Sequence, residues 1–196
     1  EEYPKARTQL RTILNKYNKS KAISSEALFL IGNSYEIEDK WGLALEQYKR
    51  IMMEYPTTLR GMDMPIYIAQ HYKVKYQPDK MVAALAEAII HYKVLANKYP
   101  VSPLALRADS LVAECYIALK DWPGVINSFN VIIEKYKGKV DVSGTLIDMA
   151  LVYNRELKDK VKARQTLERL IKEYPKSKLI KTAKYELGRQ KARAQE

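Results

Sequence analysis

The apolar positions of this chain recur at the spacing of helical faces. Leu28, Ile31 and Tyr35 are three and four residues apart, so they lie on one side of a helix. After a polar turn at Asp39-Lys40, the same spacing returns and continues to Tyr55-Pro56. The pattern predicts two helices joined by a tight turn, which is a helical hairpin.

Helix-closing tyrosines repeat this pattern along the chain. They are Tyr17, Tyr55, Tyr99, Tyr136 and Tyr174, at spacings of 38, 44, 37 and 38 residues. Proline follows three of them, and proline directly after a helix ends it. A large residue lies seven places before each tyrosine, at Leu10, Tyr48, Tyr92, Phe129 and Leu167. A small residue lies eleven places before each tyrosine, at Ala6, Ala44, Ala88, Val125 and Ala163. Residues at these offsets lie on one face of a helix, so the second helix of each pair presents the same apolar surface.

This periodicity predicts an all-α fold of about ten helices. The predicted segments are a leading helix over 4–17, four helical pairs over about 24–56, 62–100, 103–137 and 142–175, and a capping helix over 178–194. The second pair is the longest, and we assign its extra residues to the link between Lys73 and Lys80 and to the helix before Tyr99. No linker rich in Gly or Ser interrupts the chain, which favours one domain over 1–196. Stacked hairpins bury a continuous core that no single hairpin can bury alone.

The spacing resembles that of the tetratricopeptide repeat family. The matching residues are Leu28, Ile31-Gly32, Tyr35, Ala44, Tyr48, Ile51 and Pro56. The resemblance implies an α-solenoid of antiparallel helix pairs in a right-handed superhelix, and a non-enzymatic scaffold that binds other proteins. The helix-end strings at Lys98–Ser102 and Glu173–Ser177 are similar to those of bacterial envelope members. That likeness implies a periplasmic or outer-membrane-associated protein, with a cytoplasmic location as the alternative.

In this family the first helix of each pair lines a concave groove. The resemblance therefore implies these partner-binding candidates: Phe29, Asn33, Ile37, Gln70, Lys73, Arg107, Glu114, Leu151, Asn154, Arg155, Tyr185 and Arg189. Their mixture of apolar, amide and charged side chains suits an extended peptide or a protein surface. Family members that grip a terminal carboxylate carry a groove lysine where this chain has Phe29 and Ile66. A carboxylate clamp of that kind is therefore not expected.

The positive charge is concentrated toward the end of the chain. The net charge is +11, and the segment from Lys158 onward holds 13 basic and 5 acidic residues. Arg189 and Arg193 share one helical face. This segment is either a solvated helical surface or a docking patch for an acidic partner, anionic lipid or RNA. Nucleic-acid binding is thus the alternative function, and the tyrosines outside the repeat pattern, Tyr67, Tyr76 and Tyr185, are the candidates for exposed contacts.

Signals of catalysis, metal binding or cofactor binding are absent from the sequence. It contains no Gly-rich phosphate loop, nucleophile elbow or zincin string. His71 and His91 lie on different predicted helices and are expected to have no nearby paired carboxylate or thiol, and the carboxylates resemble solvated pairs along helices. The lone Cys115 is predicted to be a buried apolar residue. No apolar run reaches the roughly 18 residues of a membrane span.

The chain begins almost inside a helix, so we expect a processed or trimmed product. A trimmed product would lack any targeting signal. The sequence leaves the partner, the compartment and the oligomeric state open.

Overall fold

The computed structural model describes the backbone of residues 2–192 and the side chains of residues 2–189. Over these residues the regular structure consists of ten α-helices without a strand. They are α1 (Glu2–Lys16), α2 (Lys21–Ile37), α3 (Trp41–Glu54), α4 (Leu59–Val74), α5 (Pro78–Lys98), α6 (Pro103–Leu119), α7 (Trp122–Tyr136), α8 (Ser143–Arg155), α9 (Lys160–Glu173) and α10 (Ile180–Ala192). The predicted all-α class and the helix number are confirmed for this part of the chain. The predicted end of the capping helix at Ala194 lies outside the described residues.

The helices form two compact units, residues 1–91 and 92–196. In the first unit α2 packs on both α1 and α3, and α3 packs on α4. In the second unit α6, α7, α8, α9 and α10 pack in chain order, each on the next. Neighbours in sequence are therefore neighbours in space, as expected for stacked hairpins. The assignment of one domain stays a prediction.

The turn inside each hairpin uses a left-handed residue. Asp39, Tyr76, Lys120 and Lys158 have φ between 55° and 58°, and each lies two residues before the second helix of its pair. The amide of Lys40 then donates to the Tyr35 carbonyl at 2.9 Å, and the amide of Asp121 donates to the Tyr116 carbonyl at 3.0 Å. Such bonds satisfy the free carbonyls of a helix end. The tight turn predicted at Asp39-Lys40 is confirmed.

The extra length of the second pair lies in its second helix alone. α5 has 21 residues, whereas the link between Val74 and Pro78 has the same short form as the other turns. The predicted long link between Lys73 and Lys80 is therefore wrong. Apolar residues continue at helical spacing through α5, so the added residues extend a buried face and do not lengthen a loop.

Local side-chain chemistry sets the helix starts. Thr58 and Ser102 accept hydrogen bonds from the amides of Gly61 and Ala105, both at 3.1 Å. Asp121 accepts from the Gly124 amide at 3.0 Å. Each bond pairs an amide that a helix start leaves unsatisfied, which stabilises the helix by about 1 kcal/mol.

The repeated apolar face of the second helices forms the core of each unit. Ala44, Tyr48 and Ile51 are fully buried in the first unit, and Leu167 and Leu170 are buried to the same degree in the second. The first helices contribute the residues of the matching spacing, such as Leu28, Ile31 and Leu146. Cys115 is also buried, as predicted. Among the described helices, none is both long and apolar enough to cross a membrane.

Candidate functional site

In the second unit, a cleft between the first helices of two successive pairs contains two of the predicted partner-binding residues. Its walls are α6 and α8, and Phe129 and Ile132 of α7 form its floor. The cleft encloses about 310 Å³. The predicted residues Glu114 and Leu151 lie on its opposite walls. This space, together with its lining, is called the acidic cleft below.

Two carboxylates give the acidic cleft its charge. Asp148 projects from α8, and within the described residues no ion pair or hydrogen bond neutralises it. Its side chain is open to the cleft on one side, but the surrounding protein raises its pKa by desolvation. Glu114 at the rim contacts Arg107 at 3.6 Å, and both side chains are more than half exposed. A pair of this kind contributes little and leaves Glu114 available to a ligand.

Aromatic side chains occupy the corresponding cleft of the first unit. In the repeat pattern, Tyr67 and His71 of α4 hold the places that Asp148 and Val152 hold in α8. The Tyr67 ring contacts Tyr48 edge-on at 5.2 Å, and the His71 ring stacks on Trp41 at 3.3 Å. The same backbone position therefore lines a cavity in one unit and is packed with rings in the other.

One carboxylate of α2 organises these rings. The Tyr48 and Tyr67 hydroxyls donate to Glu36 Oε2 at 2.8 and 2.9 Å. His71 Nδ1 lies 2.6 Å from Glu36 Oε1. Burial and the Glu36 carboxylate raise the pKa of both tyrosines, which therefore remain neutral donors. This arrangement is a structural network that joins α2, α3 and α4.

The network corrects two predictions. His71 does have a carboxylate partner, although Glu36 is 35 residues away in sequence. Tyr67 is part of this network and is not one of the exposed tyrosines. Tyr76 and Tyr185 are exposed as predicted, at 92% and 64%. The other histidine, His91, is partly buried, and desolvation lowers its pKa.

The predicted groove residue Phe29 is covered by an ion pair. The Arg60 guanidinium lies 3.6 Å above the Phe29 ring and binds Glu26 through two bonds of 2.7 and 2.8 Å. The hydrogen bonds from Arg60 lower the pKa of Glu26. A partner that used Phe29 would have to displace Arg60 or stack on it.

The remaining candidates fall into separate places. Asn33 and Ile37 line a cavity with α1 and not with Phe29. Gln70 and Lys73 are exposed on α4. Asn154 is half-buried and Arg155 exposed at the end of α8. Tyr185 and Arg189 contact each other on α10, at 5.8 Å from guanidinium to ring centre, while Arg193 lies outside the described residues.

Three residues that matter were missing from the sequence-based candidates. Glu36 is not among them, although it lies on α2 three residues after Asn33 and directly before Ile37. Asp148 and Arg60 are not at the expected groove positions, and only helix packing places Asp148 in the acidic cleft and Arg60 over the Phe29 ring. The repeat pattern could have identified Glu36, whereas it contains no signal for the other two.

Metal chemistry finds no support in the described residues. No group of three or more His, Cys, Asp or Glu side chains is close enough to hold an ion there. Burial raises the pKa of the Cys115 thiol to about 12, so this group is a poor nucleophile at neutral pH.

Comparisons with known proteins give a family match over one segment and a similar helical fold. Residues 145–177, which contain most of α8 and all of α9, match the family model described as Tetratricopeptide repeat. The sequence-based resemblance to that family is thus confirmed over this segment. The crystal structure of BtubC (BKLC) from P. vanneervenii is similar over 87% of this chain and 72% of that chain, with a TM-score of 0.50 and 17% identity. At that identity the likeness shows the helical fold alone. A search of curated proteins gave no significant match.

Proposed function

We propose that this chain is a non-enzymatic interaction scaffold that binds a partner protein along its first helices, with a basic side chain of the partner in the acidic cleft. The tetratricopeptide match and the helical-hairpin fold support the scaffold role. The cavity with an unpaired carboxylate supports the choice of ligand, and it is the observation that carries the proposal.

The cleft fits the two parts of a lysine or arginine side chain. Phe129 and Ile132 offer an apolar floor for the methylene stem. Asp148 and Glu114 offer oxygens to the cationic head at the wall and the rim. The arriving cation would stabilise a carboxylate that desolvation now disfavours, so the interaction relieves an existing cost.

Selected peptides test this ligand class. A random peptide library is panned against the full chain. Each enriched peptide is then synthesised in its selected form and in variants in which one lysine or arginine is replaced by norleucine. We expect norleucine to weaken binding at least tenfold, which is about 1.4 kcal/mol. The same exchange should have little effect on binding to Asp148→Asn. Asp79→Asn, an exposed aspartate at the start of α5, is the matched control.

Two results would count against the proposal at different levels. Enriched peptides without basic residues, or an equal norleucine effect on both proteins, would refute the cation site and leave the scaffold role standing. The groove itself would be refuted by two results together. The enriched peptides would not compete with one another for binding, and a Leu151→Asp change would not weaken their binding.

An envelope location is part of the proposal and rests only on the helix-end strings. Immunoblots of periplasmic, membrane and cytoplasmic fractions of the source cells test it. Recovery in the cytoplasmic fraction alone would overturn the location without affecting the binding model.

A further inference from the structure

A second cavity of the second unit lies between the second helices of two successive pairs. The last turns of α5 form one wall with Lys93 and Asn97, and α7 forms the other with Asn127, Val131 and Lys135. Within each wall these residues are four apart, so they share one face of their helix. Residues of α6 form the base, and the cavity encloses about 310 Å³. This space, together with its lining, is called the amide cavity below.

A buried carboxylate at the base departs from the repeat pattern. Asp109 lies on α6, seven residues before Tyr116. The same place is held by Leu28 on α2 and by Leu146 on α8, and both leucines are fully buried. Asp109 is itself only 8% exposed. Leucine at this place stabilises a core without any partner, whereas a buried carboxylate needs charged partners. A polar residue at a core position is typical of a functional site.

Asp109 fixes a lysine at the cavity wall. Lys135 Nζ donates to Asp109 Oδ2 at 2.7 Å, and the Tyr136 hydroxyl donates to the same oxygen at 2.8 Å. The Lys135 side chain is only 22% exposed, and its ammonium has further N–H donors for a ligand. Asp109 is therefore a positioning residue for Lys135.

The lysine on the opposite wall has no acidic partner. Lys93 Nζ lies 3.5 Å from the Tyr116 hydroxyl, and no carboxylate in the described part of the chain pairs with it. Two ammonium groups and one carboxylate leave the cavity with one unbalanced positive charge. Asn97 and Asn127 are exposed at its rim, and their amides make no hydrogen bond to other described residues. Each amide can donate to and accept from a ligand.

The corresponding groove one pair further along is closed by ion pairs. There Arg169 of α9 donates to Glu134 of α7 at 2.9 Å and to Glu173 at 3.1 Å. Counted from the closing tyrosines, Glu134 holds the place of Asn97 and Arg169 holds the place of Val131. The amide cavity thus carries neutral side chains at the two places that bridge the next groove, and it stays open.

We infer that the amide cavity binds one carboxylate group carried on a short apolar chain, between Lys93 and Lys135. The unbalanced positive charge matches a monoanion, whereas Asp109 would repel the second charge of a phosphate. Val112 at the base and Val131 at the wall offer apolar contacts to the chain of the ligand. A free short-chain acid and a glutamate side chain of a partner protein share this chemistry. The site has no residue in common with the acidic cleft and does not depend on the proposed function.

Fluorine NMR with a labelled ligand tests the site. Hexanoate with a terminal trifluoromethyl group is titrated with the full chain, and its line width reports the bound fraction. We expect saturable binding, and binding at least about tenfold weaker for the uncharged alcohol of the same length, because the alcohol makes no charge-assisted bond. Lys93→Met should weaken hexanoate binding at least about fivefold for the same reason. Lys98→Met is the matched control and should leave binding unchanged. Lys98 is also exposed on α5 and also lies near a tyrosine ring, but it is outside the amide cavity.

A double variant separates the shape of the cavity from its charge. Asn97→Glu combined with Val131→Arg recreates the Glu134–Arg169 pair of the next groove and leaves the net charge unchanged. We expect binding at least about tenfold weaker, because the bridge fills the space of the ligand. Circular dichroism checks that each variant is folded. Retained binding by the double variant, equal weakening by both methionines, equal binding of the alcohol, or no saturation with the wild-type chain would overturn the inference.

Competition identifies the ligand further. At matched ionic strength, inorganic phosphate should displace the probe no better than chloride does, and stronger displacement by phosphate would overturn the choice of a monoanion. Unlabelled hexanoate is then compared with a capped glycine-glutamate-glycine tripeptide. Stronger displacement by the tripeptide supports a partner glutamate as the source of the carboxylate, and stronger displacement by hexanoate supports a free acid. Displacement by neither would overturn the inference.

Discussion

The contact between Gly32 and Tyr48 gives the sharpest stability prediction. Gly32 lies on α2 against the Tyr48 ring, and a Cβ placed there would be 2.5 Å from Cε1 and 3.0 Å from Cδ1. The ring cannot move aside easily, since its hydroxyl is bound to Glu36 and the residue is fully buried. Gly32→Ala should therefore destabilise the first unit, although alanine is the better helix former.

The magnitude follows from two opposing effects. Alanine in place of a helical glycine gains up to about 1 kcal/mol. Overpacking a full core costs about 1–3 kcal/mol, and a ring shift would also weaken a bond to a charged acceptor worth about 1.5–3 kcal/mol. We expect a net loss of about 1–2 kcal/mol in the free energy of unfolding.

Gly188 is the matched control at the same repeat position. A Cβ added there meets nothing within 4 Å, so Gly188→Ala should stabilise its helix by up to about 1 kcal/mol. In addition, Tyr48→Leu should recover part of the Gly32→Ala loss, because it recreates the contact of Ala150 with Leu167.

Urea denaturation measures these changes. The chain has two tryptophans. The fluorescence of Trp41 reports on unfolding of the first unit, and the fluorescence of Trp122 reports on unfolding of the second. A lower midpoint at an unchanged slope indicates lost stability. If Gly32→Ala raised the midpoint as Gly188→Ala does, the close contact would not be the reason for glycine at this position.

Four further predictions concern single side chains. Glu36→Gln should lower the free energy of unfolding of the first unit by about 1–2 kcal/mol, since two hydroxyls and a histidine lose a charged acceptor; an unchanged urea midpoint would contradict this. Cys115 should react with iodoacetamide at pH 8 at least about 100-fold more slowly in the folded than in the urea-unfolded chain, because the thiol is buried; similar rates would show that the second unit opens readily. Asp148→Asn should stabilise the chain by about 0.5 kcal/mol at pH 7, a small value because solvent screens the partly exposed carboxylate. The folded-state pKa of Asp148 is raised, so protonation favours folding and the difference between the proteins should shrink as the pH falls toward 3; a difference that grows would refute this sign. Lys120→Gly should stabilise by about 1 kcal/mol, since Lys120 has φ 57° and glycine adopts that conformation without a steric cost; thermal unfolding by circular dichroism measures it.

The helical hairpins could be predicted from the sequence because their signals are local. The spacing of Leu28, Ile31 and Tyr35 defines a face within four residues of chain, and the caps and turns act over similar distances. The period of the closing tyrosines then shows which helices form pairs. The long link predicted before Pro78 was wrong, because that stretch has no periodic signal of its own.

The candidate site was predicted less well, since the residues on one face of a helix do not show which helix packs beside that face. The repeat identified Glu114 and Leu151 as groove residues but did not show that α6 and α8 leave a cavity between them. Their role in binding stays a prediction.

What the sequence by itself determined is therefore the hairpin, its period and the residues that each helix buries. Only the tertiary structure decided that Glu36 binds Tyr67 and His71, partners 31 and 35 residues away. It also decided that the cleft beside Asp148 stays open. The physical reason is that helix formation depends on neighbours in the chain, whereas cavities and exposed faces depend on side-chain volumes contributed by separate helices.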